Sequence, residues 1–545
     1  MAPLLLLACS HPDPAATPSV QAQAPRYDPL AYARADRQRD LRQNPEPTVP
    51  PQCYTRTGGE SNPCWTCHTR RNGGNLMGDV ELQTEYAFSD VAKDNHWRNL
   101  YADRRAAMGA ISDGQVLQYV RQDNYAPLRA ALLQAKDYLG WTPDLDFDAG
   151  FDAEGFARDG SWWRAFRYKP FPGTFWPTNG ATDDVMIRLP RELYLDAGGK
   201  PSRELYRLNL AILEVAVATP DSGQAARRDR EVEPVSEELA GWDLDGDGRI
   251  SGKVTRISQL PERYVTPHAP AGMSPEARQV RRWRYPLGTE FLHTVRYLDP
   301  DASGMISRRM KEVRYAIKLS APTASGTADV YQAERLEKER GNVPLYSGHS
   351  ETGLYNSHGW KLQGFIEDRD GALRLQTTEE TYYCMGCHTS IGVTVDSSFA
   401  FPRKPPGLAG WGYQSLVGMP DVPQVGHRTP ETLLYLQRVR GGDEFRANDE
   451  IVARFFGPEG LRRDEVLRAA KGGDQDLRHL VMPSRARALA LNKAYLALVR
   501  EQSFILGRDP VLQPVKNVHD RIENGDTGLK KKKAVYDDGR LWLDW

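Results

Sequence analysis

At 545 residues the chain has room for about three or four ordinary domains, or two large lobes, so it can bury a substantial core. Lys plus Arg (71) nearly equals Asp plus Glu (72), which excludes the basic footprint of a nucleic-acid binder and long-range steering of a polyanion. A hydrophobic content of 40%, with 24 Tyr and 12 Trp, suggests aromatic packing around something large and flat.

In chain order, the first apolar stretch is M-A-P-L-L-L-L-A-C-S. Its Leu6-Leu7-Ala8-Cys9 resembles a bacterial lipobox, in which the Cys becomes the lipid-modified N-terminus. Two features depart from that pattern: no Lys or Arg precedes it, and the apolar core is shorter than the roughly 7 to 15 residues of an export signal. The resemblance implies a short signal over residues 1–8 and lipidation at Cys9. Residues 9–51 are rich in Pro among Ala, Gln, Asp and Arg, a composition expected to stay disordered as a tether spanning about 35 Å. No apolar run approaches the 18 or more residues of a spanning helix, so membrane contact is expected through the lipid anchor only.

Residues 52–140 read as an α-rich lobe opened by N-P-C-W-T-C-H-T-R-R at 62–71. A helix is predicted over Asp94–Met108. Further helical turns carry Val116, Leu117, Val120, Leu128, Ala131 and Leu132, with Ser112-Asp113 as the N-terminal cap signal. From 141 to 345 the pattern becomes mixed and loop-rich, with strand-like runs at Val185–Leu189, Phe291–Leu298 and Val313–Leu319. Residues 346–545 form the second lobe. Strand-like Trp360–Ile366 and Leu373–Leu375 lead to T-Y-Y-C-M-G-C-H-T-S at 381–390. Helices then start at Pro430-Glu431 and after Ser484, and Lys530–Lys533 is assigned to a solvated turn. The expected fold is mainly α with irregular loops around two prosthetic groups, plus a mixed middle region with short strands, α+β overall.

The two C-x-x-C-H segments carry the chemistry. On one helical turn, positions i, i+3 and i+4 share a face, so Cys64 and Cys67 can both reach one macrocycle while His68 aims at its iron. Cys384, Cys387 and His388 repeat the arrangement. With 6 Cys and 11 His in the chain, one such motif is expected by chance about 0.001 times. A zinc ribbon needs its Cys pairs within about 15 to 20 residues, whereas Cys64 and Cys384 stand 320 positions apart. A thioredoxin-like exchange site would need a parallel βαβ setting. Both motifs resemble the haem attachment motif of c-type cytochromes, and that resemblance implies two covalently bound haems. It covers about ten residues and names no subfamily. Cys53 has no assigned role.

In W-D-L-D-G-D-G-R-I-S-G-K-V (242–254), Asp243, Asp245 and Asp247 occupy positions 1, 3 and 5 of a loop resembling the calcium loop of EF-hands. Arg249 would offer its carbonyl and Ser251 a side-chain or water-mediated contact. Val254 stands where that family has its bidentate Glu, so further ligands would come from elsewhere.

The sixth ligand of each iron decides the function, because two protein ligands make a carrier and an open position makes an enzyme. His293 and His96 are the first candidates, followed by Met419 in G-M-P-D-V-P. The leading expectation is a dihaem c-type cytochrome that transfers electrons between redox partner proteins, in the periplasm or at the cell surface. The alternative is a haem oxidoreductase resembling the dihaem peroxidases or an oxygenase, with one open haem site.

Overall fold

The structure is a computed structural model that describes residues 27–37, 42–56, 63–69, 88–218, 230–270, 273, 275–340, 346–424, 427–440, 446, 448–522, 530–535 and 541–544. Its centre is an eight-stranded antiparallel sheet. The strand order is Arg164–Phe166, Thr182–Arg188, Glu290–Leu298, Ile306–Lys318, Trp360–Glu367, Gly353–Tyr355 and Ser347–His349, with Leu373–Leu375 pairing back onto Trp360–Glu367. This corrects the expected mainly α fold. The strand-like runs of the sequence do coincide with strands. They come from well-separated stretches of chain, and local periodicity does not reveal their pairing.

Alternation along each strand divides the sheet into two faces. One buries Met186, Leu292, Val313 and Phe365 with Leu30, Tyr125, Leu128 and Leu132 from the N-terminal part of the chain. The other buries Val185, Ile187, Phe291 and Leu362 against the helix Arg203–Ala218 and the hairpin of Arg230–Ser236 with Lys253–Ile257. That helix is buried nearly all round, as a helix apolar on every side must be. A further cluster joins Val116 and Val120 to Tyr495, Leu498 and Val499, so the helices Asp113–Val120 and Arg485–Glu501 pack together. Both begin as the sequence suggests: Ser112 forms a capping box with Gln115, and the Ser484 side chain accepts from the Arg487 amide.

Three local expectations are corrected. Within Asp94–Met108 the chain forms only the 3-10 turn Arg98–Leu100 and the short helix Arg105–Gly109, because the Asn95 amide donates to the distant Asp520 carbonyl at 2.9 Å and the Trp97 amide to the Asn95 side chain at 3.0 Å. The tether expected over 9–51 is folded at its C-terminal end. Leu30 and Ala33 are buried, the Leu375 amide donates to the Pro29 carbonyl at 2.8 Å, and Arg374 lies over the Tyr32 ring. A composition average misses this because a few spaced apolar side chains suffice to dock a segment. Lys530–Val535 is a strand paired with Leu541–Asp544, not a turn. Cys9 and the signal-like residues before it lie outside the described residues.

Candidate functional site

The two C-x-x-C-H segments adopt the same turn in different settings. The first lies on the 3-10 helix Pro63–Thr66, with His68 N donating to Cys64 O at 2.8 Å and Cys67 N to the same oxygen at 3.2 Å. The second leaves the C-terminal end of the helix Thr378–Met385, with His388 N to Cys384 O at 2.9 Å and Cys387 N to Cys384 O at 3.3 Å. Thr377 and Glu380 close a capping box at the start of that helix, and Glu380 also takes a bidentate contact from Arg374 at 2.9 Å. Gly386 packs so closely that a Cβ there would lie 2.1 Å from the Thr48 carbonyl oxygen, which accounts for glycine inside the second motif.

None of the described cysteines is joined in a disulfide. Burial pushes the Cys64, Cys67 and Cys384 thiols up, and Cys387 up to about 12. Disulfide exchange needs a lowered thiol pKa. Every strand pairing among the described residues is antiparallel, so the parallel setting of a thioredoxin-like site is also missing. Among the described residues, the ligand atoms of neither motif gather within 4.8 Å of one another. That is not the arrangement of a tetrahedral zinc site.

Cys384, Cys387 and His388 line a cavity whose non-atom space is about 1010 Å³, part of it open to solvent. The sheet builds its floor. Val185, His293 and Arg314 are register partners across three strands, and Ile187, Phe291 and Ala316 form the next row on the same face. Aromatic walls come from Tyr168, Phe171, Phe175, Trp360 and Phe399. His293 and His388 therefore enter one cavity from a central strand and from the attachment turn.

Each imidazole is oriented by its surroundings. His388 Nδ1 lies 3.0 Å from the Ser397 carbonyl, to which it donates, leaving Nε2 as the free lone pair. Burial lowers the His388 pKa to about 4, so the ring is neutral and able to bind a metal. Ser397 belongs to a two-residue turn closed by Val395 and Ser398, in which Asp396 and Ser397 both have positive φ, 52° and 60°. Such a turn normally calls for Asn or Gly. Here it is held by the fully buried Asp396 carboxylate, which contacts Lys318 Nζ at 2.8 Å, Arg284 Nη1 at 2.7 Å and the Tyr285 amide at 3.0 Å. His293 Nε2 stands 3.5 Å from Asp183 Oδ2, an ionic approach without a hydrogen bond, and Nδ1 is its other nitrogen. Asp183 is 2% exposed and neither of its oxygens has a hydrogen-bond partner; burial raises its pKa.

A haem fits this cavity in chemistry: two thiols and an imidazole on one turn, flat aromatic walls, and a second imidazole, His293, with a nitrogen left over. The other candidate ligands lie elsewhere. His96 Nε2 is 3.2 Å from the Val91 carbonyl, and Met419 is buried in a cluster with Trp65, Leu433 and Leu436. Cys53 packs beside Tyr54, Trp97 and Tyr383.

In the Asp-rich loop, Glu237, Asp243 and Asp245 bring their oxygens together, whereas Asp247, Arg249 and Ser251 are exposed. Glu237, from a helix just upstream, was not among the residues read from the sequence. Its carboxylate accepts from the amides of Leu244 (2.7 Å), Asp245 (3.2 Å) and Ser251 (2.8 Å), which ties the loop to the upstream helix. Burial works to raise the Glu237 pKa, but these donors bring it below the usual value.

The chain matches a “-like lipoprotein” family over residues 37–476. It is 32% identical over 529 residues to an uncharacterized lipoprotein of Aquifex aeolicus (strain VF5), an alignment covering 86% of each chain. No solved structure matches it. The family match is to lipoproteins and not to a cytochrome c family, which corrects the resemblance drawn from the two motifs. The likeness to cytochromes is confined to those pentapeptides. No helix among the described residues is long and apolar enough to cross a membrane.

Proposed function

Because the chain belongs to this family of lipoproteins, we propose that it is a lipid-anchored electron-transfer protein of the periplasm or cell surface. Cys64 and Cys67, and Cys384 and Cys387, would each hold a haem through thioethers, with His68 and His388 offering their imidazoles to the iron. One observation carries the reading: His293 and His388 line a single aromatic cavity whose edge bears Cys384 and Cys387. A haem held there supplies a one-electron couple at its iron. His388 Nε2 is kept unprotonated by the Ser397 carbonyl at Nδ1, and His293 would offer a second imidazole from the opposite element of the same cavity. An iron held by both imidazoles would have no position left for substrate, which favours passing electrons between redox partner proteins over turnover.

A second reading rests on Asp183. With its unpartnered carboxylate 3.5 Å from His293 Nε2, the pair could move a proton instead of ligating, as an oxidoreductase with one open position would require. Ferric optical and EPR spectra of the purified holoprotein separate the two. Low-spin centres indifferent to cyanide and peroxide support the carrier. A high-spin centre that binds them contradicts it.

A further inference from the structure

The two attachment turns, distant in sequence, are in direct contact. The Val393 amide donates to the Cys67 carbonyl at 3.1 Å. Gly392 lies so close to the first turn that a Cβ would sit 2.0 Å from the Thr69 carbonyl oxygen. Phe171, Ile391 and Val393 form one buried cluster, with Cys67 and Phe399 packed against it. Phe171 and Phe399 also line the cavity of the second site. Their ring centroids are 5.0 Å apart, and the Phe399 ring meets that of His388 edge-on at 5.6 Å. A single aromatic wall therefore touches the first turn on one side and the second cavity on the other.

Resting on the haem reading above, we propose that this wall carries electrons directly between the two sites, so that the chain works as one internal relay and not as two separate carriers. With haem held at both turns, the electron that one iron would give up is the one the other would take, the first being oxidised and the second reduced. No covalent bond is made or broken. A one-electron donor protein and a one-electron acceptor protein complete the balance outside the chain. The contact also explains why the second motif is followed by a glycine at 392: any larger residue would separate the turns.

The test uses the full-length holoprotein, with haem content counted on the same sample as the pyridine haemochrome. Ferric EPR in frozen solution is expected to show a dipolar interaction between the two centres that persists on dilution. After addition of enough dithionite, a two-electron donor, to supply one electron for every two haems, and freeze-quenching, the two signals should redistribute at one rate whatever the protein concentration. Two haems per chain with magnetically isolated signals, or a rate that rises in proportion to concentration, overturns the relay and leaves the haem reading intact. Fewer than two haems per chain overturns the haem reading itself.

Discussion

The Ser397 carbonyl oxygen receives His388 Nδ1 at 3.0 Å, and it is held in place by a left-handed turn that a buried ionic contact supports from beneath. The side chain of Ser397 is not what matters in this pair; its backbone oxygen is. Removing the anchor should therefore cost far more than changing Ser397. Asp396→Ala leaves the buried Lys318 ammonium without its carboxylate, a loss on the order of 3–5 kcal/mol. Ser397→Gly keeps the carbonyl and suits the positive φ, so its Tm should stay close to that of the parent. Thermal unfolding of the two variants side by side checks the contrast, and a larger drop for Ser397→Gly would contradict it.

Acid should act through Glu431, at the start of the helix Glu431–Val439 that packs against the first attachment turn. Burial works to raise its pKa, yet Arg403 at 2.8 Å and Lys169 at 2.7 Å bring it down to about 2, with buried Asp421 the neighbouring carboxylate. The unfolded value is 4.5, so this stabilisation is complete above pH 4.5 and is lost as pH falls from there through about 2. It amounts to roughly 3 kcal/mol. Urea unfolding across that window should show a steeper acid loss in the parent than in Glu431→Gln.

The Asp-rich loop is pinned by Glu237. Its carboxylate satisfies three amides, so Glu237→Ala should lower stability by about 1–3 kcal/mol. The loss should persist in chelator, because the hydrogen bonds are the protein's own. A loss seen only with added calcium would contradict this account of the loop.

Much of this site was legible residue by residue and little of it as an arrangement. Phe291–Leu298 reads as a strand from its alternation, and that same alternation puts Phe291 and His293 on one face. Nothing local says that Val185 and Arg314 flank His293, since register between strands is set by long-range pairing. The two motifs stood out because their spacing is rare; their contact through Val393 and Cys67 depends on how the whole chain closes. Asp183 left a faint signal, an acidic pair just before the strand-like Val185–Leu189 and inside the observed strand Thr182–Arg188. Asp396 and Ser397 left none, because their role comes from a turn type that their residue types do not announce. The mainly α expectation does not hold because each strand is short and gives little signal alone, whereas eight of them combine into one sheet.

His293 separates carrier from enzyme. In His293→Ala the second haem should stay attached through Cys384 and Cys387, so the haem count is unchanged. Its iron should turn high-spin and bind cyanide, which the parent should not. An unchanged ferric spectrum would exclude His293 as an axial ligand.

The central claim is that the two pentapeptides hold haem, and peptide mass spectrometry of the mature protein, produced in a host that attaches haem to C-x-x-C-H, tests it most directly. The account predicts that the peptide containing Cys64 and Cys67 and the peptide containing Cys384 and Cys387 each carry one haem through two thioethers. Recovery of both peptides with free or disulfide-linked cysteines would contradict it.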